Sequence, residues 1–424
     1  MGGDGGDDRQ SEPPAGGDRM KLPKADWQQR DGMAALLRAL GAAEGETRFV
    51  GGCVRDTLLG LDVSDVDLAT KLSPEEVMRR LKRAHIKAVP TGIAHGTVTA
   101  VPRGGPVEVT TLRRDVSTDG RRATIAYTDD WREDAARRDF TINALSADPE
   151  SLAVHDYFGG EEDLAERRVR FIGDPLTRIA EDHLRILRYF RFHARFGRGD
   201  PDTAGLEACA ARANDLMALS RERIADELLK LLTLPAPHPT IALMVERGIL
   251  RPVLPEVGTD GAERLARLVE HEKAAGLEAA PIRRLAALLP ADPDVAASVA
   301  ARLRLSRKAA KRLVSAAERS PGDQSEPQAL AYRIGAEQAV DRLLLLTGEE
   351  RIAAEEIGRL SRWIRPRFPL TGGDLIAMGL EPGPLVARTL QAIEREWIGS
   401  GFPAEDEARR LARAQVDQAL RDSQ

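Results

Sequence analysis

Apolar positions change their rhythm along this chain, and the change divides it. A short apolar run ends at Phe49-Val50, and residues 87–90, 97–101 and 107–112 alternate in the manner of half-buried strands. Asp65-Val66-Asp67-Leu68-Ala69 reads as another strand of the same mixed sheet. Helical spacings lie between them. Met33, Leu36, Leu37 and Leu40 recur at three to four residues, which predicts a helix over about 31–40. Ser73-Pro74-Glu75-Glu76 supplies an N-cap, a proline at the first helical position and first-turn acids, so a helix should run to about Ala84. Residues 178–192 have helical spacing and no breaker. Beyond about residue 196 strand character is lost, and helical patterns with short Gly/Pro breaks continue to the end. Residues 219–232 combine an N-cap serine with heptad-like leucines. Residues 369–384 read as a capped short helix, a glycine-rich break and a second helix. Residues 1–28 are rich in Gly, Asp and Pro and cannot bury a core, which predicts a disordered tail.

The chemistry begins where the first strand breaks. Residues 49–70, FVGGCVRDTLLGLDVSDVDLAT, pass from the apolar run through Gly51-Gly52 into the helical spacing of residues 54–59. A strand, a glycine turn and a helix start direct backbone N–H groups and the helix dipole where an anion can sit. Arg55 adds a guanidinium suited to phosphate oxygens. On one strand, Asp65 and Asp67 would project from the same side. Two carboxylates at that range repel unless a cation lies between them, and hard Mg²⁺ suits oxygen ligands. Glu108 is either a third carboxylate near the metal or a charged residue on a half-exposed strand. A glycine pair alone is an ordinary turn, and Asp-x-Asp alone an ordinary solvated loop. In order and a few residues apart, they form what metal-assisted phosphoryl transfer needs.

Composition narrows the class. A chain of 424 residues is too long for one core, and 42% hydrophobic with 30% charged residues suits a soluble protein. Aromatics at 4% are too few for a base-stacking platform. Net charge of −5 and a pI near 5.9 argue against a bulk polycation, though a local basic surface remains open. Cys53 and Cys209 give neither a disulfide framework nor zinc spacing, and no apolar run approaches membrane-spanning length. These features predict a cytoplasmic protein with no membrane partner. One local basic stretch exists: residues 295–317 hold no acid but carry Arg302, Arg304, Arg307, Lys308, Lys311 and Arg312. They form either a solvated helix face or a surface for an RNA backbone.

Within residues 178–192, Asp182 and Arg185 would be neighbours on one helix face. They could form an intrahelical ion pair. They could also read bases, because cytosine and adenine each present an exocyclic amine beside a ring-nitrogen acceptor. An Asp acceptor next to an Arg donor matches that order, whereas uracil and guanine present the reverse.

Gly-Gly-x-Val-Arg-Asp followed by Asp-x-Asp resembles the nucleotidyltransferase superfamily, specifically class II tRNA CCA-adding enzymes and bacterial poly(A) polymerases. Arg137-Arg138-Asp139-Phe140-Thr141-Ile142-Asn143-Ala144 is similar to the family's second motif, and the stretch from Asp156 to Leu164 to its third. Glu181-Asp182-x-x-Arg185 resembles its base-selecting fourth motif, and residues 219–232 its fifth. The resemblance therefore covers about residues 48–232 and weakens beyond. It implies that Arg138, Asp139 and Asn143 contact nucleotide, that Asp182 and Arg185 select the base, and that Arg188 and Arg191 hold the triphosphate. It also implies that residues 113–131 form the family's flexible loop, although a plain surface loop would read the same way.

The expected fold is an α/β nucleotidyltransferase head, a mixed sheet with helices, followed by an all-α neck, body and tail. The expected divisions are a tail at 1–28, a head at 29–158 and a neck at 159–232, then a body at 233–320 and an RNA-binding tail at 321–424. The expected reaction adds CMP, CMP and AMP from CTP and ATP to a tRNA 3′ end, with Asp65, Asp67 and Glu108 catalytic. Asp65 and Asp67 would hold Mg²⁺, while Gly51, Gly52 and Arg55 face the nucleotide. No protein partner is inferred. The alternatives are a poly(A) polymerase and a non-catalytic RNA-binding protein; two metal carboxylates would be idle in the second.

Overall fold

The computed structural model describes residues 20–119, 122–346 and 354–422, and the chain divides into two compact units, 1–212 and 213–424. That boundary falls inside the stretch expected to be a single neck.

In the first unit seven strands form one mixed sheet. They are β1 (Thr47–Val50), β2 (Asp67–Thr70), β3 (Lys87–Gly92), β4 (Thr97–Val101), β5 (Val107–Thr111), β8 (Ser146–Ala147) and β9 (Val154–His155). Their order is β3-β4-β5-β2-β1-β8-β9. Only β2 and β5 run parallel, with Asp67 opposite Glu108; the other pairs are antiparallel. Phe49, Leu68, Val98 and Val109 bury the core face, as the period-two pattern requires. Helix α1 (Met33–Ala39) buries Met33, Leu36 and Leu37, and α2 (Gly52–Leu58) follows the glycine turn. Helix α3 (Pro74–Arg83) starts as expected: the Ser73 hydroxyl accepts the Glu76 N–H at 3.3 Å.

Three expectations change. Residues 20–28 do not belong to a disordered tail. Lys21 bridges Ala153, Leu22 is buried, and Trp27 sits edge-on to Phe49 at 4.8 Å while its indole N–H donates to Thr57 Oγ1 at 3.0 Å. A buried Leu and a satisfied Trp overrode the polar composition around them. Residues 1–19 of that expected tail lie outside the described residues.

The stretch 113–131 is not a plain loop. β6 (Arg113–Asp119) pairs antiparallel with β7 (Arg122–Tyr127) in a separate two-stranded sheet, and α4 (Trp131–Ala136) follows, capped by Asp130. Cross-strand pairing satisfies a backbone whose charged side chains hide the strand pattern.

Residues 178–192 are two helices, not one. After α5 (Gly160–Ala165), α6 (Pro175–Glu181) ends at Asp182, whose backbone is extended at φ −153° and ψ 105°. Helix α7 (Arg185–Phe196) begins beyond it. The Asp182 carboxylate accepts the Leu184 N–H at 3.1 Å and its carbonyl accepts the Arg185 N–H at 3.0 Å, so this short acid caps the second helix. Asp182 and Arg185 are therefore not stacked on one helix face. Rings of Phe140, Phe171, Tyr189 and Phe192 bind α7 to residues 139–143, with centroids 5.0 to 6.3 Å apart.

The described second unit is helical throughout. Its core includes an ionic network: Glu272 accepts from Arg283 Nε at 2.7 Å and Arg284 Nε at 2.8 Å, and Asp341 accepts from Arg283 at 3.2 Å and Arg312 Nε at 2.5 Å. Thr371 and Asp374 form a capping box ahead of the short helix Gly372–Ala377, and a second helix, Pro384–Gly399, follows. The acid-free run spans two helices, Pro293–Arg302 and Arg307–Ala317, and acids from elsewhere meet three of its six cations. Arg302 pairs with Glu256, Arg304 with Glu222 at 2.7 Å, and Arg312 with Asp341 and Glu337.

Candidate active site

Gly51 makes the turn that opens the site. Its φ of 69° and ψ of −124° suit glycine alone, and a Cβ there would lie 2.9 Å from Arg138 Nη1. The backbone is thus held against the guanidinium of the second motif. Gly52 is the first residue of α2.

The acids gather on the neighbouring strands. Asp67 opens β2 half-buried, beside Glu108 in parallel register. Burial, then Glu108 and Asp65, push its carboxyl up to about 6, against the pull of Arg138. Asp65 does not share the strand. It stands exposed just before it, accepting from Ser64 Oγ at 2.9 Å, so the argument from strand periodicity does not apply to the pair. Among the described residues no three His, Cys, Asp or Glu side chains form a closed metal cage. The donor set still fits a hard divalent cation: oxygen ligands only, with Glu108 and Asp65 close enough to Asp67 to oppose its ionisation.

Arg55 departs from its expected place. Its guanidinium is buried over the Phe196 ring at 4.1 Å, donating through Nε to Asp56 Oδ1 at 2.7 Å and through Nη1 to Asn143 Oδ1 at 2.5 Å. Asn143 in turn donates to Asp139 Oδ1 at 2.8 Å, and Arg188 donates to Asp139 Oδ2 at 2.8 and 2.5 Å. Burial opposes ionisation of Asp139, but Arg188 and Asn143 outweigh it and hold the carboxyl below its ordinary range. Asp139, Asn143, Arg55 and Arg188 are thus one hydrogen-bonded assembly joining α2, residues 139–143 and α7. Arg191 lies on the same stretch of α7, 4.8 Å from the Phe192 ring centroid.

At the turn between α6 and α7, Arg185 Nη1 donates to Arg178 O at 2.8 Å and to Glu181, and Nη2 to Arg137 O at 3.3 Å. Of its five N–H donors, Nε–H and the second Nη2–H have no partner among the described residues.

Sequence reasoning missed Asp134 and Arg195, and it gave no role to Asp56 or Glu181, which it met only as motif residues. Asp134 is buried and accepts from Arg137 Nε at 2.9 Å and Arg138 Nη2 at 3.3 Å. Arg195 Nη2 reaches Asp56 Oδ2 at 3.3 Å. The signal existed for Asp134, three and four residues before two arginines, since that spacing pairs side chains on a helix.

Residues 47–170 match the family model described as "Poly A polymerase head domain". Residues 200–259 match one described as "Probable RNA and SrmB-binding site of polymerase A". The chain is 35% identical over 411 residues to the mouse protein "CCA tRNA nucleotidyltransferase 1, mitochondrial", covering 91% of each. It is 31% identical to a "CCA-adding enzyme" of Levilactobacillus brevis, covering 88% of this chain and 94% of that one. Among solved structures, the Bacillus stearothermophilus CCA-adding enzyme in complex with CTP superposes with a TM-score of 0.71 at 27% identity, covering 92% of this chain and 98% of the other.

Proposed function

The chain belongs to the CCA-adding tRNA nucleotidyltransferase family, and on that premise we propose which of its residues carry each part of the reaction. It transfers CMP, CMP and AMP from CTP and ATP to the 3′ end of tRNA, releasing pyrophosphate. Enzymes of this family generally need a divalent metal; Mg²⁺ is the ion proposed here, held by Asp65 and Asp67 with Glu108 beside them. When bound, such ions lower the pKa of the attacking 3′-OH and neutralise charge on the leaving pyrophosphate. Metal removal by EDTA should abolish incorporation, and Mg²⁺ should restore it better than Ca²⁺.

The chain's own residues bind and orient. The start of α2 at Gly52, with Arg138, Arg188 and Arg191, forms the triphosphate side, while the Gly51 N–H is taken by Leu145 O at 3.1 Å. Asp139 and Asn143 lie at the ribose side and Arg55 keeps Asn143 in place. Asp182 accepts from the exocyclic amine of cytosine or adenine, and Arg185 donates its two uncommitted N–H groups toward the ring nitrogen. The observation that carries the assignment is Asp67, raised to about 6 beside Glu108 in adjacent register. A binding module has no use for a half-buried acid set directly beside another carboxylate.

RNA contact is proposed for Arg307, Lys308 and Lys311. All three are exposed and unpaired among the described residues, and Arg307 and Lys311 border a groove of about 740 Å³ in the second unit. A cytoplasmic location is also proposed; the animal relatives carry mitochondrial names, and no helix among the described residues is long and apolar enough to cross a membrane.

The test is incubation with tRNA lacking its 3′ end and each labelled nucleotide in turn. Two cytidines and one adenosine are expected. A long adenosine tract would instead make the protein a poly(A) polymerase.

A further inference from the structure

Residues 20–32 run as one strap along the first unit, from an edge of the seven-stranded sheet to the turn between β4 and β5. At the edge, the Val154 N–H of β9 donates to Met20 O at 2.9 Å and the Leu22 N–H donates to Leu152 O at 2.8 Å. At the far end, Arg30 Nη2 donates to Pro106 O at 2.8 Å and the Gly104 N–H to Asp31 O at 2.7 Å. The two backbones meet there without room for a side chain. A Cβ on Gly104 would lie 2.7 Å from Asp31 O, and one on Gly32, at φ 83°, would lie 2.9 Å from Pro102 Cβ. Between these anchors Trp27 reaches both flanks of the glycine turn. Its ring meets Phe49, two residues before Gly51, edge-on at 4.8 Å. Its indole N–H donates to Thr57 Oγ1 at 3.0 Å, and the Thr57 hydroxyl donates to Cys53 O at 2.7 Å, one turn back on α2. Phe49 lies opposite Leu68 in register, so it shares the sheet face away from Asp67, and Trp27 holds the turn from the face opposite that acid.

We propose that Trp27 is a positioning residue for the triphosphate side: through it the strap holds β1 and α2 in fixed relation across Gly51, and with them the seat that the turn shares with Arg138. The inference rests on the reading that this side binds the triphosphate. The turn needs a brace because Gly51 has no side chain to lock it, and glycine leaves the backbone freer than any other residue does. Arg138 Nη1 stands where a Cβ on Gly51 would come within 2.9 Å, so a small rotation of α2 drives backbone against guanidinium. A strap tied at both ends by backbone hydrogen bonds has little freedom left to lose, and the indole adds an apolar contact on one flank and a hydrogen bond on the other. Those contacts run to Phe49 and Thr57, neither of which is assigned to the nucleotide.

The test separates positioning from stability. KM and kcat for CTP and ATP, and the melting temperature, are measured with wild type, Trp27→Phe, Thr57→Val and the double variant. Trp27→Phe keeps a ring against Phe49 and removes the N–H, while Thr57→Val keeps the shape and removes the acceptor. Each single change should raise the KM of both triphosphates together, about three- to tenfold, as the loss of one hydrogen bond does. The CTP-over-ATP ratio of kcat/KM should stay unchanged. In the double variant KM should rise no further than in the worse single one. A third variant, Gly104→Ala, leaves Trp27 in place and displaces the far anchor, and it should raise both KM values in the same way. Unchanged KM values, with or without a lower melting temperature, would make the strap a stabilising segment only and overturn the proposal. So would KM effects that multiply in the double variant. If Trp27→Phe does not fold, Thr57→Val decides. Gly51→Ala tells the two readings apart: unchanged KM there removes the triphosphate seat itself, whereas raised KM there with normal KM in the strap variants removes the brace alone.

Discussion

Asp67 shows how a single side chain trades stability for reactivity. Its carboxyl titrates near 6 in the folded protein against 3.8 in its ordinary state, so the native form holds a proton that the unfolded chain has released. A raised acid contributes stability fully below about pH 4 and loses it as pH rises through 6. Asp67→Asn in metal-free protein should therefore be more stable than wild type above pH 6, by at most about 3 kcal/mol before solvent screening reduces it, and no different at pH 4. Thermal unfolding in EDTA at the two pH values measures this, and the same variant should lose incorporation by more than about a thousandfold. Gly51 carries the opposite kind of constraint. Gly51→Ala puts a Cβ 2.9 Å from Arg138 Nη1 and leaves φ at 69°, so it should cost about 1–3 kcal/mol and raise the KM for both triphosphates. An unchanged KM would mean that Arg138 does not hold the triphosphate. The glycine turn was legible because only glycine tolerates that backbone. The burial of Arg55 was not legible, because nothing in its neighbours announced an acceptor supplied by Asn143.

At the scale of elements, the break at Asp182 separates what periodicity can see from what it cannot. Every residue of 178–192 tolerates a helix, and no proline or glycine marks the interruption. The break arises because Asp182 caps α7 and the Arg178, Glu181 and Arg185 side chains tie the two helices to residues 137–138. Asp182 thus combines a capping role with its proposed base contact. Asp182→Ala should cost about 1 kcal/mol of stability from the lost cap and collapse the CTP-over-UTP ratio of kcat/KM. Arg185→Ala should collapse the ratio without the capping loss. If both variants keep the wild-type ratio, the turn does not select the base. The β6–β7 pair makes a similar point: its pairing satisfies the backbone in a stretch that the sequence marks only as polar and charged.

For the whole molecule, the basic run of the second unit divides by tertiary partner. Arg312 belongs to the buried network with Asp341 and Arg283, and removing it leaves a buried carboxylate with one partner fewer. Arg312→Ala should destabilise the fold by about 3–5 kcal/mol. Arg307, Lys308 and Lys311 have no such partner, so the triple alanine variant should fold normally. It should bind tRNA more weakly, with a log–log salt slope shallower by about 2–3. An unchanged slope would return these cations to a solvated face. The sequence by itself determined the mixed sheet, the glycine turn and the capped helices, because backbone sterics, side-chain period and local capping act over a few residues. Only the tertiary structure decided that Arg55 and Arg312 turn inward, that a helix breaks at Asp182 and that Asp134 joins β6 to residues 137–138. Those outcomes depend on which charges meet in a low-dielectric interior, and the partners there are separated by up to 88 residues of chain.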